Sequence, residues 1–486
     1  MGIPSYYKKL VDKIKGLVTK KAPENVKALY FDFNCLIYHC CRRPGLLPYP
    51  GEEGKIEWED ALIQDIVKYV ISIWTEVGQP SKVFLGIDGV VPMAKIRQQR
   101  LRRFKSVWLA KEEKALRLRD PNGWDTNCIT PGTAFMRRLG SGLQTVCDKR
   151  GWSLSSAAEP GEGEHKVMNL LRKDEEHTDP IVIYGLDADL VLLTLLNAKG
   201  PAFLVREDGD FFSYFSCDVL KEAILPNANK EMIVDYVASM SLLGNDFLPH
   251  SMSIKIKEDG HSLLLKTIKN LRVVVDGKIQ KEAILKILES WSSDEKERLY
   301  HSIKKKGSMR GRPAPEGIIE NKPLEWFVEK PILATDGLID SWGSYYNTEW
   351  LLTENVQHIC SEYLGGLQWT LDYYLGKPVN MFWYFSRSVP PLWTDLLVFL
   401  QHNALPAIPL LQQPPIKPEE QLAMVLPYES WHLLESKQLR SLPAIYPFLW
   451  PIKFTFFSAG RHWMWECEPL IPLLTIDMLR SAIASK

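Results

Sequence analysis

The chain has 486 residues, 45% hydrophobic and 24% charged, with 59 Lys and Arg against 59 Asp and Glu. That length exceeds one small core and fits two or three lobes, and the composition is that of a soluble globular protein. A formal net charge of zero excludes a global basic signal for nucleic acid, so any such site has to be a local patch. The eight cysteines show neither C-x-x-C pairs nor Cys/His alternation, which argues against structural zinc or a disulfide framework and for a reducing compartment. The N-terminus has no apolar signal core, and Tyr6 stands where an acylation signal needs Ser or Thr. The most apolar stretch, 389–411, is broken by Asp395, His402 and several prolines, so no membrane span is expected.

In chain order, three short β-rich runs at 26–31, 82–87 and 180–186 lead directly into Asp32, Asp88 and Asp187. Helical patterns lie between them, as at 58–77 and 164–172, so the first half reads as an α/β fold with a parallel sheet flanked by helices. Strand C-terminal ends open onto the crevice of such a sheet, and the three aspartates are expected to converge there. The polar and basic stretch around 292–323, including Lys304, Lys305 and Lys306, reads as a linker or solvated loop. After Lys330 the chain turns aromatic and proline-punctuated, with a helix expected over 348–375 and an extended wrapping segment over 405–418. Ten of the sixteen tryptophans lie from Trp326 onward; most are expected in the core, with a few faces free to stack on bases. The expected division is a catalytic lobe over 1–290, a linker over 291–330 and a helical, aromatic-rich region over 331–486.

Four more acids stand on abrupt turns. Pro160-Gly-Glu162-Gly-Glu164 is a glycine-loosened turn into a helix, where two glutamates gain from the dipole; Asp187-Ala-Asp189 reads as an extended tip, and Asp246 follows a glycine turn. A lone acid of this kind is ordinarily a cap or a solvated turn residue. Five acid-bearing turns in one lobe instead suggest a carboxylate pocket that stays ionised only with cations. Mg2+ fits best, as an ion with oxygen ligands that keeps its waters, and Mn2+ can substitute. Two ions roughly 4 Å apart would serve phosphodiester hydrolysis.

The densest basic run follows Asp88. Lys95, Gln99, Arg102 and Arg103 recur at i, i+4, i+7 and i+8 and share one helix face suited to a terminal phosphate. Such a face is ordinarily just solvated; its place directly after a candidate catalytic aspartate favours the phosphate reading.

These segments, in this order, resemble the Xrn-type 5′→3′ exoribonucleases: Met1-Gly-Ile-Pro, Asp32-Phe-Asn, Asp88-Gly-Val-Val-Pro through Arg103-Phe, Asn127-Cys-Ile-Thr-Pro-Gly-Thr, Pro160-Gly-Glu-Gly-Glu-His-Lys, Ile183-Tyr-Gly-Leu-Asp-Ala-Asp-Leu and Gly244-Asn-Asp-Phe-Leu-Pro-His. The likeness continues through Gly366-Leu-Gln-Trp-Thr-Leu-Asp-Tyr-Tyr, Pro418-Glu-Glu-Gln-Leu and Asp477. The resemblance implies a PIN-like catalytic lobe wrapped by a second, mainly helical region. It also implies metal binding at Asp32, Asp88, Glu162, Glu164, Asp187, Asp189 and Asp246, and a 5′-monophosphate pocket at Lys95, Gln99, Arg102 and Arg103. The expected activity is processive, magnesium-dependent removal of mononucleotides from the 5′ end of single-stranded RNA, by a cytoplasmic monomer that contacts no membrane.

The chain departs from the family at Tyr38, where a base-stacking histidine is usual, with His39 beside it; tyrosine can also stack. Trp383 is the expected partner aromatic. A short form without the family's C-terminal barrels is also expected. The competing readings are a flap-type DNA endonuclease, disfavoured because no Gly-x-Gly turn follows Asp246, and an inactive RNA-binding protein, disfavoured because all seven acids are present.

Overall fold

The computed structural model describes residues 3, 5–43, 45–116, 123–174, 178–185, 187–309, 319–325 and 327–485. Seven strands form the main sheet: β1 Val18–Thr19, β2 Ala28–Asp32, β3 Lys82–Gly86, β4 Ser153–Ser155, β5 Ile181–Tyr184, β6 Ala202–Asp208 and β7 Phe211–Ser216, in the order β1-β7-β6-β5-β2-β3-β4. Neighbours from β4 through β3, β2 and β5 to β6 are parallel, and β7 is antiparallel to both β6 and β1. Alternate residues serve opposite faces. Ala28 and Tyr30 of β2 join one core cluster, Leu29 and Phe31 the other, and all four are fully buried. That double burial is what a parallel sheet covered on both sides requires.

Helices α1 Tyr6–Lys13, α2 Phe33–Arg42, α3 Lys55–Glu76, α4 Met93–Ala115, α5 Ala134–Arg150, α6 Gly163–Lys173 and α7 Asp189–Asn197 belong to this lobe. Leu36 of α2, Ile66 of α3 and Leu139 of α5 cover one face; Val167 of α6 and Leu190 of α7 cover the other. From β2 the chain passes to β3 and then β4, and then crosses to β5 on the opposite side of β2. The order therefore reverses at β2, and the crevice at its C-terminal end is where an open α/β sheet places ligands. The expected sheet flanked by helices is what the chain forms, parallel except at β7, which runs against both of its neighbours.

The expected linker differs from what the structure holds. Glu295–Ser308 is a helix, and Lys306, expected in a solvated loop, is fully buried. Its Nζ donates to Glu329 Oε1 at 2.6 Å and to the Ser458 carbonyl at 3.0 Å. The charge-rich sequence conceals a buried stripe of Leu299, Ser302, Ile303 and Lys306 at helical spacing. The remainder of the basic stretch, 310–315, lies outside the described residues.

Core packing also ignores the expected lobe boundaries. One cluster runs from Ile3 through Trp291 to Trp393 and Ala459, and another joins Val91, Ile96 and Phe104 around α4 to Leu422, Trp450 and Leu479. The helix expected over 348–375 is Val356–Tyr374, capped by the Asn355 side chain and preceded by a π-helical turn at Tyr346–Trp350. Residues 404–417 carry neither helix nor strand, as expected of the proline-rich segment. No helix among the described residues is long and apolar enough to cross a membrane.

Candidate active site

Asp32 is the last residue of β2, and Asp88 follows β3 by two residues. Asn34, in the first turn of α2, grips Asp88 twice: its Nδ2 donates to Asp88 Oδ2 at 3.0 Å, and the Asp88 amide donates to Asn34 Oδ1 at 3.2 Å. The Gly163 amide donates to Asp88 Oδ1 at 2.7 Å. Gly163 must lack a side chain, because a Cβ there would strike the Gly86 carbonyl and come within 2.8 Å of Asp32 Oδ1. Glu162 is the N-cap residue of α6 and Glu164 lies in its first turn, where the helix dipole favours negative charge. Asp187 follows β5. Asp189, expected on an extended tip, is the first residue of α7, because Ala188 already has helical dihedrals and the apolar run from Leu190 onward is buried as a helix.

Asp246 sits on a side-chain-stabilised turn. Gly244 has φ 93°, and Asn245 Oδ1 accepts from both the Phe247 and Leu248 amides at 2.9 Å. All seven acids therefore meet at the sheet's C-terminal edge, within electrostatic reach of one another. Glu162, Glu164 and His165 lie close enough that one ligand atom from each falls within 4.8 Å of the others.

This concentration of buried charge shows in the acidities. Burial, followed by Asp88 and Asp187, holds the Asp32 carboxyl well above the usual carboxylate range, and burial with Asp189 does the same to Glu164. Asp189 is pushed up to about 7 by burial and by Asp246. His165 is lowered to about 3 by burial, aided by Lys95 and Arg172, and is neutral. Asp189 Oδ1 is buried without a hydrogen-bond partner. An oxygen-only set of crowded carboxylates with an unpartnered buried oxygen fits a hard divalent cation such as Mg2+ or Mn2+.

The predicted basic face of α4 runs outward from this cluster. Lys95 is buried among the acids rather than presented to solvent: its Nζ lies 2.5 Å from Glu162 Oε2 and 2.7 Å from Asp246 Oδ2. Burial opposes its charge, but Asp246 and Glu162 hold the ammonium well above the usual lysine range. Gln99 is buried one turn further on, with its Oε1 unpartnered. Arg102 is exposed at the rim, and Tyr38, Asp187, Asp246 and Asp88 hold it protonated against burial of its charge. Arg103 is half-buried and donates to Asn127 Oδ1 at 2.7 Å and to the Ile129 carbonyl at 3.2 Å. Two other cations of the run serve packing. Arg100 donates to the carbonyls of Met424 and Leu449, and Lys105 to those of Met464, Trp465 and Cys467.

Tyr38 is half-buried beside Arg102 and Arg103, with the Arg42 guanidinium 5.7 Å from its ring centre. His39 points elsewhere, stacking on Tyr69 at 4.9 Å and lying 3.7 Å from Glu207. Trp383 is half-buried and packs 4.9 Å from Trp369, which stacks on Tyr373 at 5.2 Å.

Sequence reasoning did not single out Asn34, Asn127 or Tyr373 as site residues, although each lies inside a quoted motif. Tyr373 donates its hydroxyl to Glu162 Oε1 at 2.8 Å from the far half of the chain.

Residues 1–208 match the family model described as XRN 5'-3' exonuclease N-terminus. The chain is 26% identical to the human protein named 5'-3' exoribonuclease 1, in an alignment covering 99% of this chain and 34% of that protein. It is 28% identical to 5'-3' exoribonuclease 2 of Debaryomyces hansenii, over 61% of this chain and 38% of that protein. Against 5'-3' exoribonuclease 1 of Saccharomyces cerevisiae it is 30% identical, over 57% of this chain and 21% of that protein. The chain thus spans about a third of the length of the first two relatives and less of the third. It is a relative of the Xrn-type 5′→3′ exoribonucleases, and its N-terminal 208 residues carry their N-terminal region.

Proposed function

We propose that this Xrn relative is a metal-dependent 5′→3′ exoribonuclease that releases mononucleotides from single-stranded RNA bearing a 5′-monophosphate. The observation that carries the reading is the meeting of seven carboxylates with the face of α4 that leads out to Arg102 and Arg103. Asp32, Asp88, Glu162, Glu164, Asp187, Asp189 and Asp246 would hold Mg2+, with Mn2+ as a substitute. The bound cation supplies charge neutralisation at the scissile phosphate and lowers the pKa of water.

The chain's own groups supply position. Arg102 and Arg103 offer planar donors to the oxygens of a terminal phosphate, with the Gln99 amide behind them. Asn127 fixes the Arg103 guanidinium, so that rim donor is pre-oriented before a phosphate arrives. Tyr38, beside both arginines, is placed to stack on the first base, and Trp383 is the second candidate platform. A pocket that admits one phosphate would favour monophosphorylated ends, and closure by the region after residue 330 would leave room only for an unpaired strand. A monomer in the cytoplasm completes the proposal, with 1–290 and 331–486 as the two functional regions.

Product analysis on RNA labelled at either end and carrying a 5′-phosphate, 5′-hydroxyl or 5′-triphosphate, with and without EDTA, tests the reading. Mononucleotides from the 5′-phosphate substrate alone, abolished by EDTA, are expected. Internal fragments, equal attack on all three ends, or no cleavage each reject it.

A further inference from the structure

We infer that Tyr373 is a positioning residue through which the second region sets the divalent-cation affinity of the acid cluster. The inference rests on the metal-dependent reading above.

Tyr373 lies one residue from the C-terminal end of the Val356–Tyr374 helix, more than two hundred positions from Glu162, the acid it touches. Its hydroxyl donates to Glu162 Oε1 at 2.8 Å, while Glu162 Oε2 faces Lys95 at 2.5 Å. One oxygen of this carboxylate is thus pinned to the second region, and the other is turned toward Asp246 across Lys95. The same ring packs 4.0 Å from His165, the neighbour of Glu164, and meets Phe247, the neighbour of Asp246, edge-on at 5.4 Å and 87°. A single side chain therefore touches three segments that carry acids, and it hydrogen-bonds directly to one of those acids.

An ordinary core aromatic needs only the ring contacts. The hydroxyl does something separate: it satisfies a buried carboxylate oxygen and fixes rotation of the Glu162 carboxylate. Outer partners that orient ligating carboxylates are typically worth about 10–100-fold in metal affinity or activity. Removing the hydroxyl leaves Glu162 Oε1 buried without that donor and frees the carboxylate to rotate, while the ring stays in place.

The test is Mn2+ binding to the full chain in the absence of RNA, followed by electron paramagnetic resonance of the free ion, for wild type, Tyr373→Phe and Trp369→Phe. Trp369 stacks on Tyr373 at 5.2 Å and serves as the packing control. Expected is roughly tenfold weaker Mn2+ binding for Tyr373→Phe, with thermal melting in EDTA unchanged within about 2 °C, and wild-type affinity for Trp369→Phe. The Mg2+ concentration giving half-maximal RNA cleavage should rise by a similar factor for Tyr373→Phe alone. Equal Mn2+ affinity in wild type and Tyr373→Phe overturns the inference, as does equal weakening by Trp369→Phe. Failure of Tyr373→Phe to fold also overturns it, since the hydroxyl would then be a structural requirement. A wild-type protein that binds no Mn2+ removes the metal-dependent reading itself, and the inference with it.

Discussion

Asp189→Asn should stabilise the metal-free protein while destroying the site. The carboxyl is buried, with one oxygen unpartnered, and its pKa is pushed up from 3.8 to about 7. Between those values the folded chain holds a proton that the unfolded chain releases, so stability falls as pH rises through that window. A shift of about three units at 1.36 kcal/mol each sets a ceiling of about 4 kcal/mol on the cost of ionising the group at pH 8. The repulsion is shared with Asp246 and Asp187 and offset by Lys95, so about 1–4 kcal/mol is the expected gain from the neutral amide. For 486 residues at about 2.1 cal/mol/K per residue, each kcal/mol shifts the melting temperature by roughly 1 °C. Calorimetry in EDTA should therefore place the variant about 1–4 °C above wild type at pH 8 and roughly a third of that above it at pH 5, where only ionisation of the unfolded chain contributes. Saturating Mg2+ should move the comparison toward wild type by roughly 3 °C, since wild type alone gains the binding term, about 2.7 kcal/mol at a hundred times Kd. A variant that melts lower than wild type in EDTA at pH 8, or that shifts equally at both pH values, refutes the electrostatic account.

Arg102→Ala should erase the preference for 5′-phosphate over 5′-hydroxyl RNA while leaving slow turnover, as competition between the two substrates will show. Asn34→Ala removes both contacts to Asp88 and should lower kcat by about 10–100-fold, with little change in RNA affinity measured in EDTA. Lys306→Met leaves Glu329 buried without its cation and should cost about 3–5 kcal/mol by thermal melting. Pairing that change with Glu329→Leu should recover most of the loss.

Much of the site was legible because its chemistry is local. Asp32, Asp88 and Asp187 each follow a β-rich run, so residue type and chain order were enough to bring them to one edge of a sheet. Glu162 and Glu164 carried their own helix-start signal. The four residues grouped by helical period all lie on α4, but period says nothing about depth. Lys95 lies among the carboxylates while Arg102 reaches the rim, because α4 runs outward from the crevice. The same limit applied to 295–308, whose charge read as solvation until Lys306 found Glu329 in the core.

Residue types and spacings alone determined the sheet, the acids that line its edge and the helix face beside them, because turns, strand ends and helical periodicity are properties of a few neighbouring residues. Tertiary structure decided which of those groups touch. Asn34 reaches Asp88 across 54 positions, Asn127 reaches back to Arg103 across 24, and Tyr373 reaches Glu162 across 211. Contacts of that range depend on how elements pack against one another, and a single sequence without its fold carries no local mark of them.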